Sequence, residues 1–488
     1  MRVMCMASDL NDGRPLTLRR WLRHLHDTDR LFVARAGVGL KFELAAVAKC
    51  LDGTKAVFFP GPGGHEIPVV SGLVSNRGWI AEALGVPASA VLQRFREATE
   101  HPVAWSEVDA GAAPCQQVVK KDVDIRADLP IPTHSEHDSG PYITAGVVIA
   151  RNPVTGIQNV SINRIQINSR NRMAALLLPR HLHAFFAEAE SRGEALPVAV
   201  VVGVDPLVLL ASQAITPIDR DELEIAGALG GAPLSVVKCL TNDVRVPAQA
   251  EIVIEGRFLP GVRESEGPFG EFPKYYSAQE KREVIQIDLI THRRNPIYHT
   301  IIPSEMEHLL LGAIPREATL LSHLQKSFPN VLDVHLSVGG VCRYHLYVKL
   351  RKHHEGEPKN VILGALSGHY DIKHVVVVDE DVDVHDPRQV EWAVATRFQA
   401  DRDLVVISGA QGSALDPSTT KVFGAAETHI PRQLQGLGAK MGLDATRPLE
   451  YGEYVFTKVI IPGSDRIDVD DFAASDMSDV IHLLESDS

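Results

Sequence analysis

The chain has no apolar run able to cross a bilayer as one helix. Its most hydrophobic stretch, residues 196–212, is interrupted by Asp205-Pro206. It also lacks a paired-cysteine motif: Cys5, Cys50, Cys115, Cys239 and Cys342 are scattered and odd in number. That pattern excludes a disulfide framework or a zinc knuckle and fits reduced thiols. Residues 1–9 show no apolar core and no cleavage signature, so a cytoplasmic protein without membrane partners is expected. Positive charge is in deficit, with 49 Lys and Arg against 62 Asp and Glu and a net charge of −13. A general nucleic-acid binder gains affinity by neutralising phosphates with cations, and this balance excludes that class.

What is present is an ordinary globular composition, 45% apolar and 23% charged over 488 residues, enough for roughly two to four domains. Strand-like residues 56–59 and helical patterns at 79–84 and 91–99 make the first part α/β. The Pro60-Gly61-Pro62-Gly63-Gly64 segment matches no phosphate-loop spacing and reads as a turn. From residue 142 to 255 the signals are mainly β: 143–150, 159–167, 198–204 and 250–255, with helices at 181–192 and after Asp219. Many short strands with few helices indicate a barrel or sandwich. Beyond 302, helices at 318–327, 360–366 and 388–398 alternate with strands at 346–350, 374–378 and 404–407, the texture of an α/β domain. The fold class expected is α+β, divided into 1–120, 121–310, 311–465 and an acidic tail, 466–488.

Two constellations carry chemistry. In Glu264-Ser265-Glu266-Gly267-Pro268-Phe269-Gly270-Glu271, three carboxylates crowd a Gly/Pro-rich segment that reads as neither regular helix nor central strand. Crowded carboxylates repel, so one tends to keep a proton, as a general acid requires. The alternative is a solvated acidic loop, but Pro268-Phe269 inserts an apolar wedge that implies partial burial. The second constellation is Asn159-Val160-Ser161-Ile162-Asn163-Arg164 with Pro179-Arg180-His181 and Glu222. An amide, an imidazole and a carboxylate form a hard O/N set suited to Mn²⁺ or Mg²⁺. Asn159 and Arg164 differ by an odd number, so one regular strand would point them to opposite faces; a bulge or strand end must intervene. The segments His134-Ser135-Glu136-His137-Asp138 and Asp379 to Asp383 read as a positioning loop and a solvated turn, not metal sites.

Taken in order, these segments resemble the UbiD family of (de)carboxylases. The resemblance includes Asp138 to Thr144, Asn159 to Arg164, Pro179 to His181, Glu222 ahead of Ala226-Gly227-Ala228-Leu229, Glu266 to Glu271 and Val375 to Asp383, and runs from about residue 50 to 460. It implies a central split β-barrel, flavin-reductase-like, binding prenylated FMN, flanked by an N-terminal α/β part and a C-terminal α/β oligomerisation domain. It also implies that Asn159, His181 and Glu222 hold a divalent metal, Mn²⁺ or Mg²⁺, against the cofactor phosphate, with K⁺ nearby. Arg164, Glu266 and Glu271 form an Arg–Glu–Glu network in which Glu271 is the proton donor. Thr144, Val160, Ser161, Ile162, Asn163, Arg180, Ser212 and Lys373 fall at flavin-contact positions.

The stretch Glu307-His308-Leu309-Leu310-Leu311-Gly312-Ala313-Ile314-Pro315-Arg316 looks like that of members acting on furan or pyrrole carboxylates. His299, His308 and Arg316 are therefore the candidate substrate contacts, with pairing at a helix start the structural alternative for Arg316. The expected activity is reversible, non-oxidative decarboxylation of an aromatic, heteroaromatic or α,β-unsaturated acid. The expected partners are the carboxylic acid, a flavin prenyltransferase that supplies the cofactor, and copies of the same chain in a dimer or hexamer. Two rivals stand beside this: a metal-dependent hydrolase in which Glu271 activates a metal-bound water, and a non-catalytic flavin-binding subunit.

Overall fold

The computed structural model describes residues 17–419, 436–451, 453–463, 466–473 and 480–481. Contacts divide the chain into one unit of residues 1–352 and 356–446 and a second of 353–355 and 447–488. In the second, the described residues form two short 3₁₀ turns, Glu453–Phe456 and Val469–Phe472. Most of the expected acidic tail, and Cys5, lie outside the described residues.

The first unit begins with helix α1 (Leu18–Asp27), capped by the Thr17 side chain. It continues through β1 (Leu31–Val33), α2 (Glu43–Cys50), β2 (Ala56–Phe59), β3 (Val69–Ser71), α3 (Arg77–Leu84) and α4 (Val91–Glu100). Asn76 caps α3 and Gly85 ends it in the left-handed conformation, a start and stop readable in the sequence.

The centre is a nine-stranded sheet. Its strands are β5 (Val118–Lys120), β6 (Tyr142–Ile143), β7 (Val147–Arg151), β8 (Gln158–Ile162), β9 (Ile165–Ile167), β10 (Arg172–Ala175), β11 (Leu196–Val202), β14 (Ile252–Glu266) and β15 (Glu280–His292). The order is β6-β9-β10-β15-β14-β11-β7-β8, with β5 also paired to β15. Strands β8 and β9 stand six places apart in that order, a separation of about 29 Å in a flat sheet. Yet only Asn163 and Arg164 join them, a link that reaches about 11 Å. The sheet must therefore curl until its ends meet. Along that seam no ladder joins β8 to β9 or β6 to β7 among the described residues, and the barrel is split. The Asn163 N–H donates to the Gly146 carbonyl at 3.1 Å, which extends the β7–β8 ladder one residue toward that seam. The α+β class and the split barrel both match expectation.

The sheet is buried on both faces, which is why β11 reads as a continuous apolar run. Val198, Val200 and Val202 share a core with Ile252, Ile254 and with Leu182, Phe185 and Phe186 of α5 (His181–Ser191). Ala199, Val201 and Val253 face the opposite core, with residues of α6 (Pro206–Ala211) and α7 (Glu222–Gly230). Two expected strands are each broken at the seam: 143–150 at residues 144–146, and 159–167 at Asn163-Arg164. Strand β14 is far longer than the expected 250–255, because a register shift between Phe258 and Arg263 absorbs Pro260, so the proline does not end it. Glu264 and Glu266 consequently lie on a paired strand, contrary to expectation, and only Gly267 onward is loop.

Strands β12 (Ser235–Lys238) and β13 (Arg245–Pro247) form a small sheet with β4 (Ser106–Glu107). The two-residue β16 (Tyr298–His299) returns to complete the first sheet beside β3. Then comes α8 (Met306–Ser327), which begins twelve residues before the expected 318. Pro315, readable as a helix start, lies inside it. The last sheet has the order β17-β18-β19-β21-β20, built from β17 (Val331–Leu336), β18 (His345–Leu350), β19 (His374–Asp379), β20 (Leu404–Gln411) and β21 (Leu437–Ala445). Helices α9 (Glu357–Gly368) and α10 (Pro387–Arg397) give it the expected α/β texture. Asp379 and Asp381 are not a solvated turn. Both pair with the buried Arg397 guanidinium, at 2.7 and 2.8 Å. No helix among the described residues is long and apolar enough to cross a membrane.

Candidate active site

Arg164 occupies the two-residue link at the seam, where neither strand constrains its direction; this is the strand end that the odd spacing from Asn159 required. Its Nε and Nη2 donate to the two oxygens of Glu266 at 3.0 and 2.9 Å, a bidentate pair, and its Nη1 makes an ion pair with Glu271. Glu266 is 1% exposed and Glu271 8%. The apolar wedge is present as well: Phe269 is buried, 4.4 Å from the Tyr142 ring between centroids, with the Arg164 guanidinium 5.1 Å from its ring centre.

The segment that carries Glu271 is fixed by partners the motif alone did not indicate. Asp138 accepts the N–H groups of Gly270 at 2.9 Å and Ser135 at 2.8 Å. This makes 134–138 a positioning loop, as expected, though the segment it positions is that of Glu271. The Ser304 hydroxyl donates to the Glu271 carbonyl at 2.5 Å. The Tyr142 hydroxyl lies 3.2 Å from Glu266 and accepts the Gly267 N–H at 3.1 Å. The sequence signal available was the short-residue spacing Asp138-Ser139-Gly140, which marks an ordered turn but not its target.

On the other side of the seam, Glu222 opens α7 behind the N-cap Asp221. Its oxygens accept from the Asn159 amide at 3.0 Å and the Val160 N–H at 2.7 Å, with the Thr216 hydroxyl at 3.5 Å. Burial pushes the Glu222 carboxyl up to about 8, and the neighbouring Asp221 carboxylate adds to the rise against the hydrogen bonds Glu222 accepts. A buried carboxylate held beside the Asn159 amide is a donor set that fits a divalent ion. His181, the first residue of α5, is half-buried, and burial followed by the neighbouring Arg180 holds its imidazole below the usual range. Among the described residues, no three His, Cys, Asp or Glu side chains form a metal-holding group by themselves.

The remaining sequence candidates are distributed as follows. Thr144 lies in the seam, its hydroxyl accepting the Ile301 N–H at 3.0 Å. The Ser161 hydroxyl donates to Asn163 at 2.9 Å, and Ile162 is half-buried at the end of β8. Arg180 is exposed at the start of α5, and Ser212 is buried with its hydroxyl on the Leu209 carbonyl at 2.7 Å. The Lys373 ammonium is engaged by Asp416 at 2.8 Å and Ser418 at 2.7 Å.

His299 is fully buried with its Nε2 3.2 Å from Glu307, which also takes the N–H groups of Gly72 and Leu73. Its ring thus helps join α8 to the first sheet. The His308 Nδ1 accepts the Ser304 N–H at 3.1 Å, which leaves the proton on Nε2; burial, then the charge of Arg343, pushes this imidazole down to about 3 and keeps it neutral. Arg316 is not at a helix start. It sits within α8, donating to the Gly312 carbonyl at 2.7 Å, with Asp371 at 3.7 Å. Burial lowers it to about 9, and Arg343 adds to the shift. Arg343 is equally buried and donates to the carbonyls of Leu309 and Cys342. It was missed in the sequence because a lone arginine between Cys342 and Tyr344 carries no pattern.

Comparison with known proteins agrees with this geometry. Residues 106–306 match the 3-octaprenyl-4-hydroxybenzoate carboxy-lyase Rift-related domain, 309–445 the C-terminal domain and 22–99 the N-terminal domain of the same family. Anhydromevalonate phosphate decarboxylase of Methanothermobacter thermautotrophicus is 41% identical over 388 residues, covering 80% of this chain and 87% of that one. Among solved structures, the UbiD-class enzyme HmfF from Pelotomaculum thermopropionicum, in complex with FMN, is 47% identical with a TM-score of 0.89. The match covers 94% of this chain and 100% of that one. An evolved dimeric form of HmfF in complex with prFMN gives 45% and 0.85 over the same shares. With its three domains matched in order and an Arg–Glu–Glu network at the seam of a split barrel, the chain belongs to the UbiD family and is a carboxy-lyase.

Proposed function

We propose that the protein catalyses reversible, non-oxidative decarboxylation of an aromatic, heteroaromatic or α,β-unsaturated acid on prenylated FMN, with Glu271 protonating the product carbon. The observation that carries this reading is the single guanidinium of Arg164 bridging Glu266 and Glu271 at the seam. When bound, the prenylated flavin supplies the electron sink that loss of CO₂ demands. The rest falls to the chain. Asn159, His181 and Glu222 would hold Mn²⁺ or Mg²⁺ against the flavin phosphate, with K⁺ nearby. Thr144, residues 160–163, Arg180 and Ser212 would surround the cofactor. Lys373, already neutralised by Asp416, would have to exchange partners to reach it. Glu266 fixes the Arg164 fork, and Arg164 orients both the donor and the carboxylate that is lost. The buried loop excludes water, so the carbon takes its proton from Glu271.

For the substrate, the group formed by His308, Arg316 and Arg343 favours a ring that carries a heteroatom or a second anionic group. The neutral His308 offers an Nε2–H, and the two guanidinium groups offer charge. His299, committed to Glu307, is left out of this group. A dimer or hexamer, a cytoplasmic location and a prenyltransferase supplier belong to the same reading.

The test is expression with and without a flavin prenyltransferase, followed by visible spectra and CO₂ release from a panel of unsaturated acids. The prenylated sample alone should turn over. Equal activity of flavin-free protein plus metal would instead favour the hydrolase, and a flavin-loaded protein inactive on every acid the non-catalytic subunit.

A further inference from the structure

The small sheet of β4, β12 and β13 supplies none of the site residues, yet it is tied to the two residues that stand directly before two of them. Gln158 precedes Asn159 on β8, and Asp221 precedes Glu222 at the start of α7. Both pairs are joined: the Asn159 amide donates to Glu222 at 3.0 Å, and the Gln158 amide to the Asp221 carboxylate at 3.4 Å. Successive side chains leave a strand on opposite faces, so the start of α7 is gripped from both sides of β8. Strand β8 ends the order of the large sheet, and its Val160 N–H goes to Glu222 at 2.7 Å where a further strand would otherwise take it.

The Gln158–Asp221 pair is held in turn by the small sheet. Gln158 binds the backbone of Arg245 on β13 in both directions: its Oε1 accepts the N–H at 2.6 Å and its Nε2 donates to the carbonyl at 3.2 Å. The indole of Trp105, the residue leading into β4, donates to Asp221 at 2.9 Å. Two residues earlier, the Val103 N–H donates at 3.0 Å to the Glu224 carbonyl, in the first turn of α7. Asp221 meanwhile caps α7, its other oxygen accepting the Leu223 N–H at 2.9 Å. Gln158 and Asp221 are both buried, which strengthens these bonds. A metal site needs its oxygens held to within about 0.5 Å, and the groups behind the ligands supply that precision.

We propose that the small sheet is a brace for the metal site: Trp105 and the Arg245 backbone, acting through Asp221 and Gln158, are positioning groups that hold Glu222 and Asn159 in place for a divalent ion. The proposal rests on the metal assignment in the reading above.

The test titrates Mn²⁺ into the full chain loaded with FMN and follows free and bound ion by electron paramagnetic resonance. Wild type is compared with Trp105→Phe, which keeps a ring and removes the donor, with Asp221→Asn, which keeps a capping oxygen and removes the acceptor, and with the double variant. Trp105→Phe should raise the Mn²⁺ dissociation constant about tenfold or more. The spectrum of the ion still bound should broaden as the carboxylate loses its fixed direction. FMN affinity without metal should match wild type, and the metal-free protein should melt within about 3 °C of it. In the Asp221→Asn background, Trp105→Phe should add nothing. The brace is overturned if folded Trp105→Phe binds Mn²⁺ as tightly as wild type, or if its loss of affinity persists in full without the Asp221 acceptor. Should Trp105→Phe fail to fold, Gln158→Met cuts the other arm and decides by the same dissociation constant. A wild type that binds Mn²⁺ no better than its variants keeps the metal assignment and loses the brace. A wild type that binds no Mn²⁺ beside FMN loses both.

Discussion

Replacing Arg77 with methionine should destabilise the protein by about 3 kcal/mol at neutral pH, although Arg77 touches neither cofactor nor substrate positions. Its partner Glu317 is fully buried on α8, the residue after Arg316. One Glu317 oxygen takes the Arg77 Nη1 at 2.6 Å; the other takes the Leu336 N–H at 2.8 Å and lies 3.0 Å from the His335 Nδ1. Burial alone would raise this carboxyl, but Arg77, then His335 and the Leu336 N–H, outweigh it and hold the group at about 2 against an ordinary 4.5. That displacement corresponds to about 3 kcal/mol of linkage. The sign follows from the depressed value: the contribution is complete above pH 4.5 and fades as pH falls toward 2. Urea titrations of wild type and Arg77→Met, followed by tryptophan fluorescence from pH 7 down to 2, measure the difference directly while other carboxylates cancel. The gap should be about 3 kcal/mol at neutral pH and should narrow between pH 4.5 and 2. A gap below about 1 kcal/mol, or one that widens in acid, refutes the account.

Three further outcomes bear on the site itself. Glu271→Gln should retain bound flavin, judged by the visible spectrum, while turnover drops by roughly 10²–10⁴, the usual worth of a positioned general acid; full activity would move the donor role elsewhere. Glu222→Ala or His181→Ala should lose metal and flavin together, and normal metal occupancy by elemental analysis would remove those residues from the metal site. Asp138→Ala strips the acceptor from the Gly270 and Ser135 N–H groups. It should lower kcat about tenfold by loosening Glu271 while KM changes little, and an unchanged kcat would reduce Asp138 to a local turn.

Local chemistry made much of this readable in advance. The α/β ends and the continuously apolar β11 are written in residue types at fixed spacings, whereas the Arg164–Glu266–Glu271 trio was legible only through the resemblance to the family. The break at Thr144 was not legible, because a β-branched run continues to look like a strand whether or not a partner strand is beside it, while the break at Asn163-Arg164 was signalled only by the odd spacing of Asn159 and Arg164. Strand β14 was cut short by Pro260, whose effect depends on a register shift that only the paired β15 reveals. Helix α8 was started late because Pro315 serves equally as a first-turn residue or an interior one. Asp138 and Arg343 act over separations of 132 and 34 residues, on Gly270 and Leu309, and pairing at that range leaves no trace in a neighbourhood pattern. Arg316 was legible as a candidate substrate contact, and only the alternative, pairing at a helix start, falls, because the helix already begins at Met306.

The two-residue link between β8 and β9 has a consequence for how such a protein tolerates change. Loops elsewhere can lengthen at little cost, because closure entropy rises slowly with length. Here the connection is only two residues long, and one of them is Arg164. A single inserted amino acid between Ile162 and Ile165 would leave every hydrophobic contact of the two cores available, and the protein should still fold and resist heat. It would also give the guanidinium slack, enough to lose a fork held at 2.9–3.0 Å on Glu266. The shortest connection in the barrel is thus where length and activity are coupled, and insertion scanning would find a silent fold around a silenced site.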